Sequence, residues 1–94
     1  MQHRILAEMN DLRRSVREME QLIQRLARNE QYIHGQLQRI ADWKGESADE
    51  LRERFMAFRQ ELSARQQTLR QRQQEIAAYI ADMERADASA GRLG

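Results

Sequence analysis

Ninety-four residues weighing 11.2 kDa allow a single domain, and 33% charged against 40% hydrophobic residues leave little apolar surface for a core of its own. The absence of cysteine excludes a disulfide framework and a thiolate zinc site, and two histidines far apart, His3 and His34, are too few for a metal cage. A formal net charge of +1 supplies no field to attract nucleic acid, and no run approaches the roughly 18 apolar residues of a membrane span.

The chain begins Met1-Gln2-His3-Arg4-Ile5-Leu6-Ala7-Glu8, without an apolar segment or a small-residue cleavage site, so no secretory signal peptide is expected there. From Ile5 the apolar positions run through Met9, Leu12, Val16, Met19, Ile23 and Leu26, skip Glu30, and resume at Ile33, Leu37 and Ile40. Spacings alternate four and three, the seam of a heptad repeat, and no proline interrupts them. A first helix over roughly residues 4–42 follows.

The register breaks at Asp42-Trp43-Lys44-Gly45-Glu46-Ser47. Gly45 is suited to closing the first helix in a left-handed conformation, since it carries no Cβ. Ser47-Ala48-Asp49-Glu50 reads as a capping box opening the second helix, with acidic charge at the positive end of its dipole.

The second helix is expected over roughly residues 47–86. Its stripe takes Ala48, Leu51, Phe55, Phe58, Leu62, Leu69, Ile76, Tyr79 and Met83, with Arg65 and Arg72 at two seam positions. Residues 87–94 are small and weakly patterned, and read as a flexible tail. A connection of about four residues returns the second helix antiparallel to the first. Folding near residue 44 sets Leu37 against Leu51, Ile33 against Phe55, Leu26 against Leu62, Leu12 against Ile76 and Ile5 against Met83, with Glu30 beside Phe58 and Arg59.

The fold class is therefore all-α, an antiparallel two-helix hairpin. Its expected core is Leu12, Val16, Ile23, Leu26, Ile33, Leu37, Ile40, Leu51, Phe55, Phe58, Leu62, Leu69 and Ile76. Further apolar residues flank the seam at Leu6, Leu22, Ala27, Met56 and Ile80, which predicts dimerisation into a four-helix bundle.

Trp43-Lys44-Gly45 is a Trp-X-Gly triplet at the turn of a two-helix chain of about one hundred residues, followed by a small residue and two large apolar ones at Ala48, Leu51 and Phe55. The whole chain thus resembles the WXG family of small helical-hairpin proteins, which includes the early secreted antigenic target and its culture-filtrate partner. The resemblance implies export by a type VII secretion system as a folded dimer, recognition by a membrane-associated secretion ATPase, and escort of larger secreted effectors. It implies a recognition turn at Trp43 and Gly45, lying near a C-terminal Tyr-x-x-x-Asp/Glu element of the other subunit. Tyr79 and Asp82 are the candidates for that element, but Met83 stands four residues after Tyr79, and Asp82 and Glu84 are each one residue out of register.

Each of these residues also has a plainer role open to it. Trp43 either docks a partner or caps the hairpin by packing on Ile40 and Leu51. Tyr79 either belongs to an export element or packs in the seam, and Asp82 is otherwise a solvated helix residue. Glu30, Arg65 and Arg72 either specify register or lay their stems along the seam with heads in water. Gln66-Gln67-Thr68-Leu69-Arg70-Gln71-Arg72-Gln73-Gln74 is basic and acid-free but has no aromatic residue for base stacking, so a solvated helix face is expected rather than a nucleic-acid surface.

No glycine-rich phosphate loop and no nucleophile beside a base is present, so no catalytic residue, cofactor or metal is expected and the protein is read as a non-enzyme. The favoured function is a type VII secretion substrate or partner, cytoplasmic before export and then secreted, without membrane insertion. It would pair with itself or with a related hairpin. The competing function is an intracellular coiled-coil scaffold or assembly adaptor.

Overall fold

A computed structural model describes the backbone of residues 2–93 and the side chains of residues 6–89. Two helices, α1 (Gln2–Arg39) and α2 (Glu46–Leu93), pack against each other as a helical hairpin. The hairpin is a rod with principal extents of 74 × 15 × 15 Å.

The α1 stripe lies where the heptad spacing predicts. Met9, Ile23, Ile33 and Ile40 are buried, Ile23 completely, while Leu12, Val16, Met19, Leu26, Glu30 and Leu37 are half-buried along the same line. Ile5 lies outside the described side chains, so its pairing with Met83 is not described.

On α2 half of the expected stripe is displaced by one residue. Ala48, Phe55, Leu62, Leu69, Ile76 and Met83, spaced every seven residues, face α1 as expected. The column completing the seam is Arg52, Arg59, Gln66, Gln73 and Ile80, rather than Leu51, Phe58, Arg65, Arg72 and Tyr79. Phe58 and Tyr79 are 46% and 55% exposed, whereas Ile80 is buried, so two expected seam residues stand outside the seam and one expected flanking residue lies within it. Arg65 and Arg72 are exposed. Leu51 remains half-buried near the turn, as does Arg52.

The helix ends also differ from expectation. The last four-residue closure of α1 is from Ile40 N to Gln36 O, 3.1 Å, after which Ala41 N to Gln38 O and Trp43 N to Ile40 O tighten the chain. The Gly45 carbonyl accepts the Asp49 amide at 3.1 Å, so Gly45 opens α2 instead of closing α1 and Ser47 lies inside the helix. Gly45 has φ of +113°, a conformation that side-chain-bearing residues rarely adopt. At the other end α2 runs on to Leu93, through the region read as a flexible tail, because alanines and charged residues without proline favour helix.

Candidate recognition turn and interaction surface

The turn is built almost without apolar packing. Every residue from Ala41 to Ser47 is exposed, between buried Ile40 and buried Ala48, and Trp43 is 57% exposed. Trp43 therefore stands at the tip of the rod, with more than half its surface in water.

Arg52 supplies the polar fastening, and the heptad reading missed it. Its Nη1 donates to the Ile40 and Trp43 carbonyls, both at 2.8 Å, and its Nη2 pairs with the Asp49 carboxylate. These carbonyls sit just past the end of α1, where the Ile40 carbonyl also takes the Trp43 amide, and a cation at that end complements the helix dipole. Asp49 belongs to the first turn of α2, where its negative charge is favourable and offsets the guanidinium beside that helix's positive end.

Two polar clusters join the helices farther along. Gln66 Nε2 donates to Glu30 Oε2 at 2.8 Å, and Arg59 Nε lies 3.8 Å from Glu30 Oε1, the proximity the hairpin register predicts. Gln73 Nε2 donates to the Val16 carbonyl at 3.2 Å and to Glu20 Oε2 at 3.1 Å, while Arg70 lies 3.9 Å from the same carboxylate. Hydrogen bonds from Gln24 and Gln73, with the Arg70 charge adding to them, hold the Glu20 carboxyl below the usual glutamate range. Arg13 and Glu84 form a third interhelical pair. Gln66 and Gln73, within the stretch read as a solvated face, thus turn partly inward; their seven-residue spacing with Arg52 and Arg59 is the signal that could have found them.

These polar contacts share one flank of the seam, because Arg59 and Ser63 border one groove with Glu30 while Ile80 and Ala77 border another with Arg13 and Val16. The opposite flank holds a groove of about 460 Å³ in which Leu22 and Leu26 of α1 face Leu69, Ala64, Thr68, Glu61 and Arg65 of α2. Phe58 and Tyr79 occupy the same seven-residue column as Arg65, so this flank is the more apolar. Arg65 is tied along its own helix to Glu61 at 2.7 Å.

The C-terminal candidates are solvent-facing. Tyr79 is exposed, and Asp82 pairs with Arg85 on the same helix. About 33 residues of α2 separate Tyr79 from the turn, roughly 50 Å at 1.5 Å per residue, so one chain does not bring Trp43 and Tyr79 together. His34 lies against Gln38 on the α1 surface, 3.3 Å from its amide, and His3 falls outside the described side chains. Among the described residues, no helix is long and apolar enough to cross a membrane. No family model, curated protein or solved structure matches the chain.

Proposed function

We propose that this chain is a small type VII secretion substrate or partner protein of the WXG kind, which acts by presenting Trp43 at the tip of a helical hairpin. The observation that carries this reading is the exposed indole on a glycine-containing turn between two long helices. A large amphipathic side chain with over half its surface free is the type of anchor that dominates protein interfaces. It is held there by backbone and polar contacts and not by burial of its ring.

The proposed protein is a dimer, with itself or a related hairpin, joined through the flank that carries Leu22, Leu26, Phe58 and Leu69. Its accessible surface of 7770 Å² exceeds the roughly 5,700 Å² of a compact monomer of this mass. Its radius of gyration of 21.1 Å compares with about 12 Å for a compact domain of this length. The excess of about 2,000 Å² is ample for a stable interface, which takes roughly 800 Å² from each partner. Side-by-side pairing along the apolar flank gives a four-helix bundle. An antiparallel arrangement of the two rods would bring the turn of one subunit beside the Tyr79–Asp82 region of the other. The dimer would assemble in the cytoplasm, meet a secretion ATPase and leave the cell, alone or with a larger effector.

Export is the direct test. The tagged chain is expressed in its native host, and culture medium is compared with lysate for wild type and for a folded Trp43→Ala variant. Wild type in the medium without lysis markers, with the variant retained in cells, is the expected result. Retention of both, in a host whose secretion system is active and whose candidate partners are co-expressed, would point to the intracellular scaffold instead. Light scattering at micromolar concentration is expected to give about 22 kDa, twice the 11.2 kDa chain mass; a stable helical species at the chain mass would remove the homodimer.

A further inference from the structure

We propose that Arg52 is the positioning residue of this turn: its guanidinium fixes the backbone that carries Trp43 and thereby sets where the exposed indole stands. The significance of that position rests on the function proposed above, whereas the fastening itself stands on the geometry of the turn.

The five residues from Ala41 to Gly45, and the first two of α2 after them, lie exposed between buried Ile40 and buried Ala48. Packing cannot order such a segment, and the closures from Ala41 to Gln38 and from Trp43 to Ile40 bind it only to the end of α1. Arg52 ties it to α2. A single nitrogen, Nη1, reaches the carbonyls of Ile40 and Trp43, spanning the stretch in which the chain leaves its helix. The other terminal nitrogen pairs with Asp49, whose amide bonds to the Gly45 carbonyl. One side chain thus connects both sides of the turn. The Arg52 side chain is 25% exposed, less than any other arginine side chain in a described ion pair.

The chemistry explains why arginine stands here. A planar guanidinium directs several donors in one fork and can serve two carbonyls and a carboxylate together. A lysine ammonium at the same place keeps the charge but concentrates it at one point, and cannot span the three acceptors. Without the fork the Ile40 carbonyl still accepts the Trp43 amide and the Trp43 carbonyl stands at an exposed position where water replaces the lost donor, so losing the fork leaves the seam intact and frees the turn. An indole on a fixed backbone docks with less loss of freedom than one on a mobile turn.

Nitrogen-15 relaxation of the full chain reads the backbone at the Trp43 main-chain amide, and the indole N–H of this one tryptophan gives a side-chain signal beside it. Wild type is expected to show a backbone order parameter near 0.85 at Trp43, falling below about 0.6 in Arg52→Lys with helicity unchanged. Arg54→Lys, which removes an arginine whose described partner is exposed Glu50 on the same helix, is expected to leave Trp43 as ordered as in wild type. A merely structural arginine would lower helicity or thermal stability without loosening Trp43 selectively. Should Arg52→Lys fail to fold, Asp49→Asn decides the matter: it removes only the carboxylate anchor and is expected to loosen the turn partially. An unchanged order parameter at Trp43 in the folded Arg52 variant, or in Asp49→Asn where that variant is the one that folds, overturns the proposal. The relaxation readout does not involve export, so the positioning role and the secretion reading fail separately.

Discussion

The two flanks of the hairpin seam use the same helices to opposite ends. On one, Glu30 with Gln66 and Arg59, Glu20 with Gln73 and Arg70, and Arg13 with Glu84 tie α1 to α2 at three levels. On the other, Leu22 and Leu26 meet Leu69 across an open groove, and Phe58 and Tyr79 lie in line with it. Directional polar contacts are satisfied only in one register, so the first flank specifies how the hairpin closes. Apolar contacts are less particular about geometry, and the second flank keeps an open groove between Leu22, Leu26 and Leu69. A two-helix chain cannot enclose all of its apolar residues: Leu22, Phe58 and Tyr79 stand exposed on the second flank, and Met56 stands exposed beside Glu30 and Arg59 on the first.

The largest expected effect tests what both flanks share. Ile23 is completely buried in the seam, and Ile23→Ala should cost about 2–5 kcal/mol, read as a lower midpoint in urea with helicity lost at lower denaturant. A cost below about 1 kcal/mol would mean that the seam collapses around the lost volume. Next comes the apolar flank: Phe58→Gln should weaken the proposed dimer by about 2 kcal/mol, a shift in dissociation constant of some thirtyfold by sedimentation. The hairpin of this variant should keep its helicity, because Phe58 is 46% exposed and stands outside the seam. Loss of helicity in parallel with dimer dissociation would instead make Phe58 part of the hairpin core.

On the polar flank, Glu30→Ala should cost about 1 kcal/mol, since it strands Gln66 and removes the Arg59 pairing at a partly exposed site. Its dissociation constant should stay near that of wild type, the reverse of Phe58→Gln. The smallest effect is the pH dependence from Glu20. Its carboxyl titrates lower in the folded chain than in the unfolded one, so its stabilisation is present above the ordinary value near 4.5 and fades as pH falls through the lower folded value. Thermal melts between pH 3 and 6 should therefore show a shallower dependence in Glu20→Gln than in wild type. Identical slopes would show that the hydrogen bonds from Gln24 and Gln73 do not favour the ionised form.

The α1 stripe was readable from spacing alone, because its apolar residues offer one continuous line and Glu30 is its sole polar member. On α2 the column from Ala48 to Met83 was equally plain, but two neighbouring columns could complete the heptad. One contains Leu51, Phe58 and Tyr79, the other Arg52, Arg59, Gln66, Gln73 and Ile80. Hydropathy favours the first. The second prevails in the fold, where Glu30 and Glu20 face α2 and find donors in Arg59, Gln66 and Gln73, and where Ile80 is buried more deeply than Tyr79. Long arginine and glutamine stems cover apolar surface while their heads pair, so a polar column is compatible with a packed seam.

At the turn, the triplet carrying Trp43 and Gly45 was visible, and its location between two helices followed from the break in the heptad. The role of Gly45 in opening α2 was not, because glycine suits either helix end and only the bond from the Asp49 amide distinguishes them. Arg52 was invisible for a related reason: in sequence it is one of fifteen arginines, and its value lies in reaching carbonyls nine and twelve residues away.

By itself, then, the sequence determined two long helices, the break between them and the inward face of α1, since these depend on local propensity and a period that only one solution satisfies. The second inward column of α2, the polar and apolar division of the flanks, and the fastening of the Trp43 turn were decided only when the helices met. Each depends on a pairing between residues distant in the chain, and no local pattern states which of two nearly equal faces its partner will select.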